Sequence, residues 1–343
     1  MHGVQPAAPG GLQALAQWNQ RVRSSVLSRE FAAAMATLGW RPFFVADDSD
    51  LALVLIRRLP VPGLRTWTTR AKVYLNDGYP MFVRELRACL ADEGVAYATL
   101  GDPLCPLPSH LRNALRGAVT IAHHRIVHDV GVDDETLLAR MDPKLRGHLR
   151  RAGRQGTTVS EIVSSDDLQA FYSLAAETAD RIRHRNLVAA LPDAFFAEVL
   201  RTMVPRGQAL MLLARAGDRP LAGGLFFRSG PYLTYFHGVS TRQPELARSQ
   251  GPSAMFWHAL RHARSEGLRY FDHGAVTVTD DANHPHFSVY DYKRKFGGRV
   301  EEVGSAQLVL SRAKHAFQER VMMPVWRRLH PLYMRFAPRA RTA

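Results

Sequence analysis

Cysteine is scarce: 343 residues include only Cys89 and Cys105. Two cysteines cannot build a disulfide framework, and nothing arranges them for metal. Long apolar runs are missing as well. The longest, such as Leu51–Ile56, are far too short to span a bilayer. Residues 1–11 have neither a basic n-region nor an apolar h-region, so no secretory signal is evident. These absences point to the cytoplasm. With 46% hydrophobic and 22% charged residues, the composition is that of a folded globular protein rather than a disordered or fibrous one. The length suits two ordinary cores better than one large one.

Positive charge is what the chain has in excess. The net charge is +14, and residues 140–154 and 312–341 account for +12 of it. In the first segment, Asp142-Pro143 supplies a helix cap and a proline at the first helical position. The helix expected over 143–154 sets Arg146, Arg150 and Arg154 four apart on one side, with Lys144 and Arg151 on a neighbouring line. Arginines at that spacing can track phosphates without reading bases, and two basic segments together suggest a polyanionic partner, nucleic acid or an anionic membrane. A solvated helix face and a basic tail would carry the same pattern. The C-terminal segment 311–343 interleaves apolar and basic residues around Pro324 and Pro331. It fits docking on its own domain, peripheral membrane contact or RNA.

Hydrophobic periodicity predicts a helix over 28–38, a hairpin of strands 41–46 and 51–58 about the turn 47–50, and a third strand over 64–69. A helix over 78–93 and strands over 95–99 and 119–128 complete the first half. The second half repeats the order. Helices follow strand 157–163, then strands 208–216, 220–229 and 232–239, helix 251–266, strand 269–272, a short helix near 287–296 and strand 299–310. Hairpin, third strand, helix, strand is the element order of the acetyltransferase-type (GNAT) fold. The expectation is therefore an α/β (α+β) chain of two tandem GNAT-like domains with mixed sheets flanked by helices, 12–140 and 141–310.

In that fold a diphosphate is cradled by backbone N–H groups where the helix after the third hairpin strand begins. The matching place reads Arg248-Ser249-Gln250-Gly251-Pro252-Ser253. A helix N-terminus favours anions, but Pro252 removes a donor, so Arg248, Gly251 and Ser253 serve either as helix cap or as cradle. His284 and His286 flank Pro285. With no third ligand in view they read as loop histidines, and no metal is expected.

A second cluster is more specific. Lys144-x-Arg146 with Arg150-Arg151-Ala152-Gly153, Phe171-Tyr172, Glu177-Thr178-Ala179-x-Arg181, Ala222-Gly223-Gly224, Tyr235-Phe236-His237-Gly238, Phe271-Asp272-x-Gly274 and Tyr292-Lys293-x-x-Phe296-Gly297-Gly298 follow one another over 141–304. This stretch resembles the Fem family of aminoacyl-tRNA-dependent peptidyltransferases, whose members carry two tandem GNAT-like domains. The resemblance implies a chain that moves an amino acid from aminoacyl-tRNA to an amine of a peptide or peptide-like acceptor, either a cell-wall precursor or a peptide natural product. No cofactor is implied. A CoA-dependent N-acyltransferase is the alternative. By the same resemblance Lys293, with Tyr292 beside it, steadies the oxyanion, Arg181 binds an anionic group, and Tyr235, His237 and Asp272 line the substrate channel. In the first half, Arg70 and Asp77 stand nearest the family's acceptor-binding arginine and acid. Lys144, Arg146, Arg150, Arg151 and Arg154 would contact the tRNA. Taken without the resemblance, a solvated helix face is the lesser alternative for Lys293 and Lys295.

Overall fold

The computed structural model describes residues 24–47, 50–60, 67–112, 115, 118–183, 191–322 and 324–325. Helix α1 (Arg29–Thr37) begins where the Ser28 hydroxyl accepts from Phe31 N at 3.1 Å, and it buries Phe31, Ala34 and Met35. Strands β1 (Arg41–Ala46) and β2 (Leu51–Pro60) form the expected hairpin, although two residues of its turn, 48 and 49, lie outside the described residues. Residues 51–56 are almost wholly buried, because β2 lies between β1 and β3 and is covered on both faces.

Strand β3 (Trp67–Leu75) extends well past the expected end at 69. Ala71, Val73 and Leu75 alternate into the core, so the polar partners Arg70 and Lys72 in that alternation belong to a strand and not to a loop. Helix α2 (Pro80–Asp92), strand β4 (Tyr97–Leu100), the short helix α3 (Ser109–Arg112) and strand β5 (Val119–Asp129) follow.

Asp133 caps α4 (Asp134–Arg140), and Asp142 caps α5 (Pro143–Arg154) through Lys144 N at 2.8 Å. Next come β6 (Thr157–Glu161), α6 (Ser165–Arg183), α7 (Asp193–Thr202), β7 (Ala209–Ala216), β8 (Arg219–Ser229) and β9 (Tyr232–Ser240). Then follow α8 (Gly251–Ser265), β10 (Tyr270–Val276), α9 (Phe287–Arg294), β11 (Arg299–Val309) and α10 (Arg312–Phe317), which runs into a π-helical turn at Gln318–Met322. The start of the basic C-terminal segment docks on the first half: Gln318 Nε2 donates to the Tyr97 hydroxyl at 3.0 Å, and His315 stands edge-on to the Tyr97 ring. Residues 326–343 of that segment lie outside the described residues.

The eleven strands of the described residues form one mixed sheet in the order β1-β2-β3-β4-β11-β5-β10-β9-β8-β7-β6. The two halves exchange their last strands. β11 enters between β4 and β5, and β5 lies between β11 and β10. One hydrophobic cluster also spans both halves, joining Leu27, Phe31 and Leu53 to Phe171, Phe196 and Phe227. Residues of the first half thereby reach the strand that carries the second half's polar centre.

Candidate functional site

Parallel strands β9 and β10 pair over only three positions, Tyr232–Thr234 against Tyr270–Asp272. Beyond Asp272, β10 shifts its register against β5, and Gly274 adopts φ +72°. A Cβ there would lie 2.4 Å from the Tyr235 carbonyl oxygen, so only glycine permits the bulge. The two strands part at this point, and α9 sends Lys293 into the opening.

Lys293 is 7% exposed. Its Nζ donates to the Ala275 carbonyl at 3.1 Å and lies 5.2 Å from the centre of the Tyr235 ring. Burial pulls its pKa down to about 8, partly offset by the Asp272 carboxylate. Asp272 is fully buried and accepts from Gly274 N at 2.7 Å and from Arg125 Nη1 at 3.3 Å. Burial raises its pKa to about 6, against the opposing pull of Arg125. Near pH 7 the site therefore holds a carboxylate and an ammonium, each near its point of titration.

Helix α9 is fixed at its C-terminal end. Asp142 N, at the start of α5, donates to Lys295 O at 2.8 Å. Gly297 (φ +83°) packs so tightly that a Cβ would lie 2.1 Å from Arg140 O. The Tyr292 hydroxyl lies 3.2 Å from Ser253 Oγ, which ties α9 to the start of α8, and burial pushes this phenol's pKa up. Tyr235 is likewise pushed up by burial. His237 stands beside Phe196, and burial lowers its pKa to about 4.

The other residues expected from sequence separate into distinct roles. Arg181 reaches the end of β9, donating to Ser240 O at 3.1 Å, where it ties α6 to that strand. Arg70 lies on β3, four strands from β10, or roughly 19 Å at the usual interstrand spacing, and stacks over Trp40. Asp77 is exposed and pairs with Asn76. The acid that organises this loop is Asp50, which sequence reasoning missed. It is fully buried and accepts from the backbone N–H groups of Leu51, Asp77, Gly78 and Tyr79. Its carboxylate thus fills the start of α2, the first half's counterpart of the diphosphate cradle. Asp50→Ala leaves these donors unpaired, with an expected loss of about 3 kcal/mol, read as a lower denaturant midpoint.

At the second half's cradle, Ser253 N already donates to Gln250 O at 3.0 Å, and the Ser253 hydroxyl is engaged by Tyr292. A Cβ on Gly251 would lie 2.5 Å from Leu221 Cβ, so this glycine serves helix-on-sheet packing. Arg248 is exposed.

On α5, Lys144, Arg150, Arg151 and Arg154 are exposed, whereas Leu145 and Ala152 are buried. Arg146 stands apart. Its Nη1 donates to the carbonyls of Leu138, Ala139 and Met141 at 3.1–3.3 Å, which closes the end of α4.

Sequence reasoning also missed Arg125. It is 8% exposed, bridges Asp272 to Glu301 and stacks 4.7 Å over Tyr232. It borders a cavity of about 290 Å³ between the halves, whose walls include Leu75, Asn76 and Cys105 on one side and Tyr232 and Thr234 on the other. Among the described residues no cluster of His, Cys, Asp or Glu is arranged to hold a metal ion, and no helix is long and apolar enough to cross a membrane.

Comparison with known proteins bears on the fold. Residues 140–294 match the acetyltransferase (GNAT) domain family. Aminoacyltransferase FemB of Staphylococcus epidermidis is 29% identical over 83 residues, which is 24% of this chain and 19% of FemB. The match therefore spans about a fifth of that relative. The fold is similar to that of the FemX crystal structure, with a TM-score of 0.67, 15% identity and coverage of 86% of this chain and 94% of FemX. It is also similar to L-PGS of Bacillus licheniformis, with a TM-score of 0.59, 12% identity and coverage of 97% and 98%. Residues 140–294 thus match a GNAT domain, and the chain has a tandem GNAT-like fold similar to that of FemX.

Proposed function

We propose that the protein is an aminoacyltransferase that moves an amino acid from aminoacyl-tRNA to an amine of a peptide or peptide-like acceptor, such as a peptidoglycan precursor or a peptide natural product. The observation that carries this reading is a buried ammonium without a diphosphate cradle. Lys293 occupies the opening between β9 and β10. Of the two helix starts where a CoA diphosphate would sit, one is filled by Asp50 and the other is bonded to itself and to Tyr292.

The chemistry asks little of the protein. An aminoacyl ester is already activated, and a neutral amine is a good nucleophile. The amine attacks the ester carbonyl, a C–N bond forms, and the C–O bond to the ribose breaks. The amine's proton ends on the departing ribose hydroxyl. Positioning and charge stabilisation carry most of the catalysis. The Lys293 ammonium steadies the negative oxygen of the tetrahedral intermediate. Tyr235 borders the opening, whereas His237 packs beside Phe196, and the acceptor would enter by the cavity bordered by Arg125 at the seam of the halves.

The exposed cations of α5 would bind the tRNA backbone. Replacing Arg150 and Arg154 together by glutamine is expected to weaken tRNA binding and to reduce the slope of log K against log salt by about two. Arg146→Gln should instead lower thermal stability, since that side chain closes α4. To test the donor, thermal unfolding is followed with acetyl-CoA and with charged tRNA. Protection by charged tRNA alone supports the proposal, and protection by acetyl-CoA alone favours a CoA-dependent N-acyltransferase.

A further inference from the structure

Strand exchange places one side chain of the first half in the second half's polar centre. Arg125 comes from β5, yet its guanidinium lies between Asp272 of β10 and Glu301 of β11, over the Tyr232 ring of β9. Asp272 accepts on one oxygen from Arg125 and on the other from Gly274 N, within the bulge that ends at Ala275. The Ala275 carbonyl holds Lys293. An unbroken chain of contacts thus runs from Glu301 through Arg125 and Asp272 to the bulge and the ammonium.

We propose that Arg125 is a positioning residue that fixes the Asp272 carboxylate as counter-charge to the Lys293 ammonium, so that the first half sets the charge state of the second half's site. The inference rests on the reading of Lys293 as the group that steadies the oxyanion. The groups around Lys293 are Asp272 and His273 of β10, Tyr235 of β9, and Tyr292 on its own helix with Ser253 of α8 behind it. His128 of β5 faces His273 and carries no charge at neutral pH, since burial lowers its pKa to about 4. Asp272 is therefore the counter-charge that acts on Lys293. Arg125 holds that carboxylate in its ionised form against burial. Without Arg125 the buried carboxyl takes up a proton near neutral pH, and Lys293 loses the charge that keeps it an ammonium.

The chain has five lysines, at 72, 144, 293, 295 and 314, so lysine labelled with ¹³C at Cε gives a spectrum simple enough to assign by single substitutions. The experiment titrates Lys293 by NMR in the full chain, with the fold checked by thermal unfolding. In the unsubstituted protein Lys293 should titrate near 8. Arg125→Gln and Arg125→Met should each lower that value by about one unit, as should Asp272→Asn, whereas Arg125→Lys should restore most of it. A folded Arg125→Gln or Arg125→Met protein whose Lys293 titrates as before overturns the proposal. Loss of folding in both variants overturns it too, since Arg125 would then be part of the scaffold. The titration needs no turnover, so it can fail independently of Lys293's catalytic role, which the turnover of Lys293→Met tests.

Discussion

Lys293→Met is expected to lower turnover by about 10²–10³-fold, the usual effect of removing one oxyanion donor, while raising thermal stability. The two effects share a cause. Burial lowers the pKa of Lys293 from 10.5 to about 8, a figure that already includes the attraction of Asp272. Holding the side chain charged at pH 7 therefore disfavours folding by roughly 3 kcal/mol. Methionine keeps the length of the side chain and removes the charge. It also forfeits the hydrogen bond to Ala275 O. A net gain of about 1–2 kcal/mol remains, or a few degrees in Tm. The sign follows from proton linkage. Between about pH 8 and 10.5 the unfolded chain binds a proton that the native state does not, so the stability of the unsubstituted protein rises with pH across that window. Lys293→Met should lack this rise. Calorimetry at pH 7 and pH 10 together with a turnover assay checks both parts. A variant of unchanged turnover, or one destabilised at pH 7, would contradict the placement of a strained ammonium in the site. Loss of stability at functional positions is a common compromise.

The second large effect is acid sensitivity. Burial lowers the pKa of His128 and His237 to about 4 and that of His273 well below its usual value. Such groups fold neutral, and from about pH 6.5 downward the unfolded chain binds protons that the native state refuses. Their contribution to stability is present above pH 6.5 and is lost as the pH falls toward 4. Asp272 works in the opposite direction. Its folded pKa of about 6 lies above the unfolded 3.8, so its contribution is full below 3.8 and lost as the pH rises through 6. The buried histidines outnumber the one raised carboxyl of the site, so stability should fall as the pH drops below 6.5.

His273 is the most direct probe. It is fully buried among Phe256, Phe271, Phe296 and His128, at ring distances of 4.8–5.0 Å. Neither of its ring nitrogens has a hydrogen-bond partner among the described residues. His273→Phe sacrifices no polar contact and removes one proton from the acid transition. Its advantage in stability should be about 2 kcal/mol greater at pH 5 than at pH 8, measured by denaturant unfolding. His273→Leu gives the same comparison with a smaller side chain. An advantage that does not change with pH would contradict the assignment of a neutral, buried imidazole.

Much of the fold is legible in the sequence, because most elements have periodic apolar faces and standard boundaries. Asp142-Pro143 starts α5 and Leu38-Gly39 ends α1 as the local chemistry dictates. The joint between the halves is not legible. No local pattern states that β11 inserts between β4 and β5, since register across the sheet is fixed by tertiary pairing. For the same reason Arg125 looks like any polar residue of an alternating strand until β10 and β11 flank it. Asp50 and Asp77 are both acids near one loop. Only burial reveals that Asp50 receives the backbone donors while Asp77 faces solvent. Arg146 shares the helical spacing of Arg150 and Arg154, but α4 turns its guanidinium inward. Lys293, by contrast, sits in a motif, Tyr292-Lys293-x-x-Phe296-Gly297-Gly298, whose glycines the structure explains at Arg140 and β5.

The central claim is that a nucleic-acid-borne ester, and not a thioester of CoA, delivers its acyl group beside Lys293. The most direct measurement is mass spectrometry of amide products after incubating the purified protein with a panel of peptide amines and either a charged tRNA pool or acetyl-CoA. The account predicts aminoacylated amines from the tRNA reaction, their loss with Lys293→Met, and no product from acetyl-CoA. Acetylated amines formed from acetyl-CoA, with no transfer from charged tRNA, would contradict it.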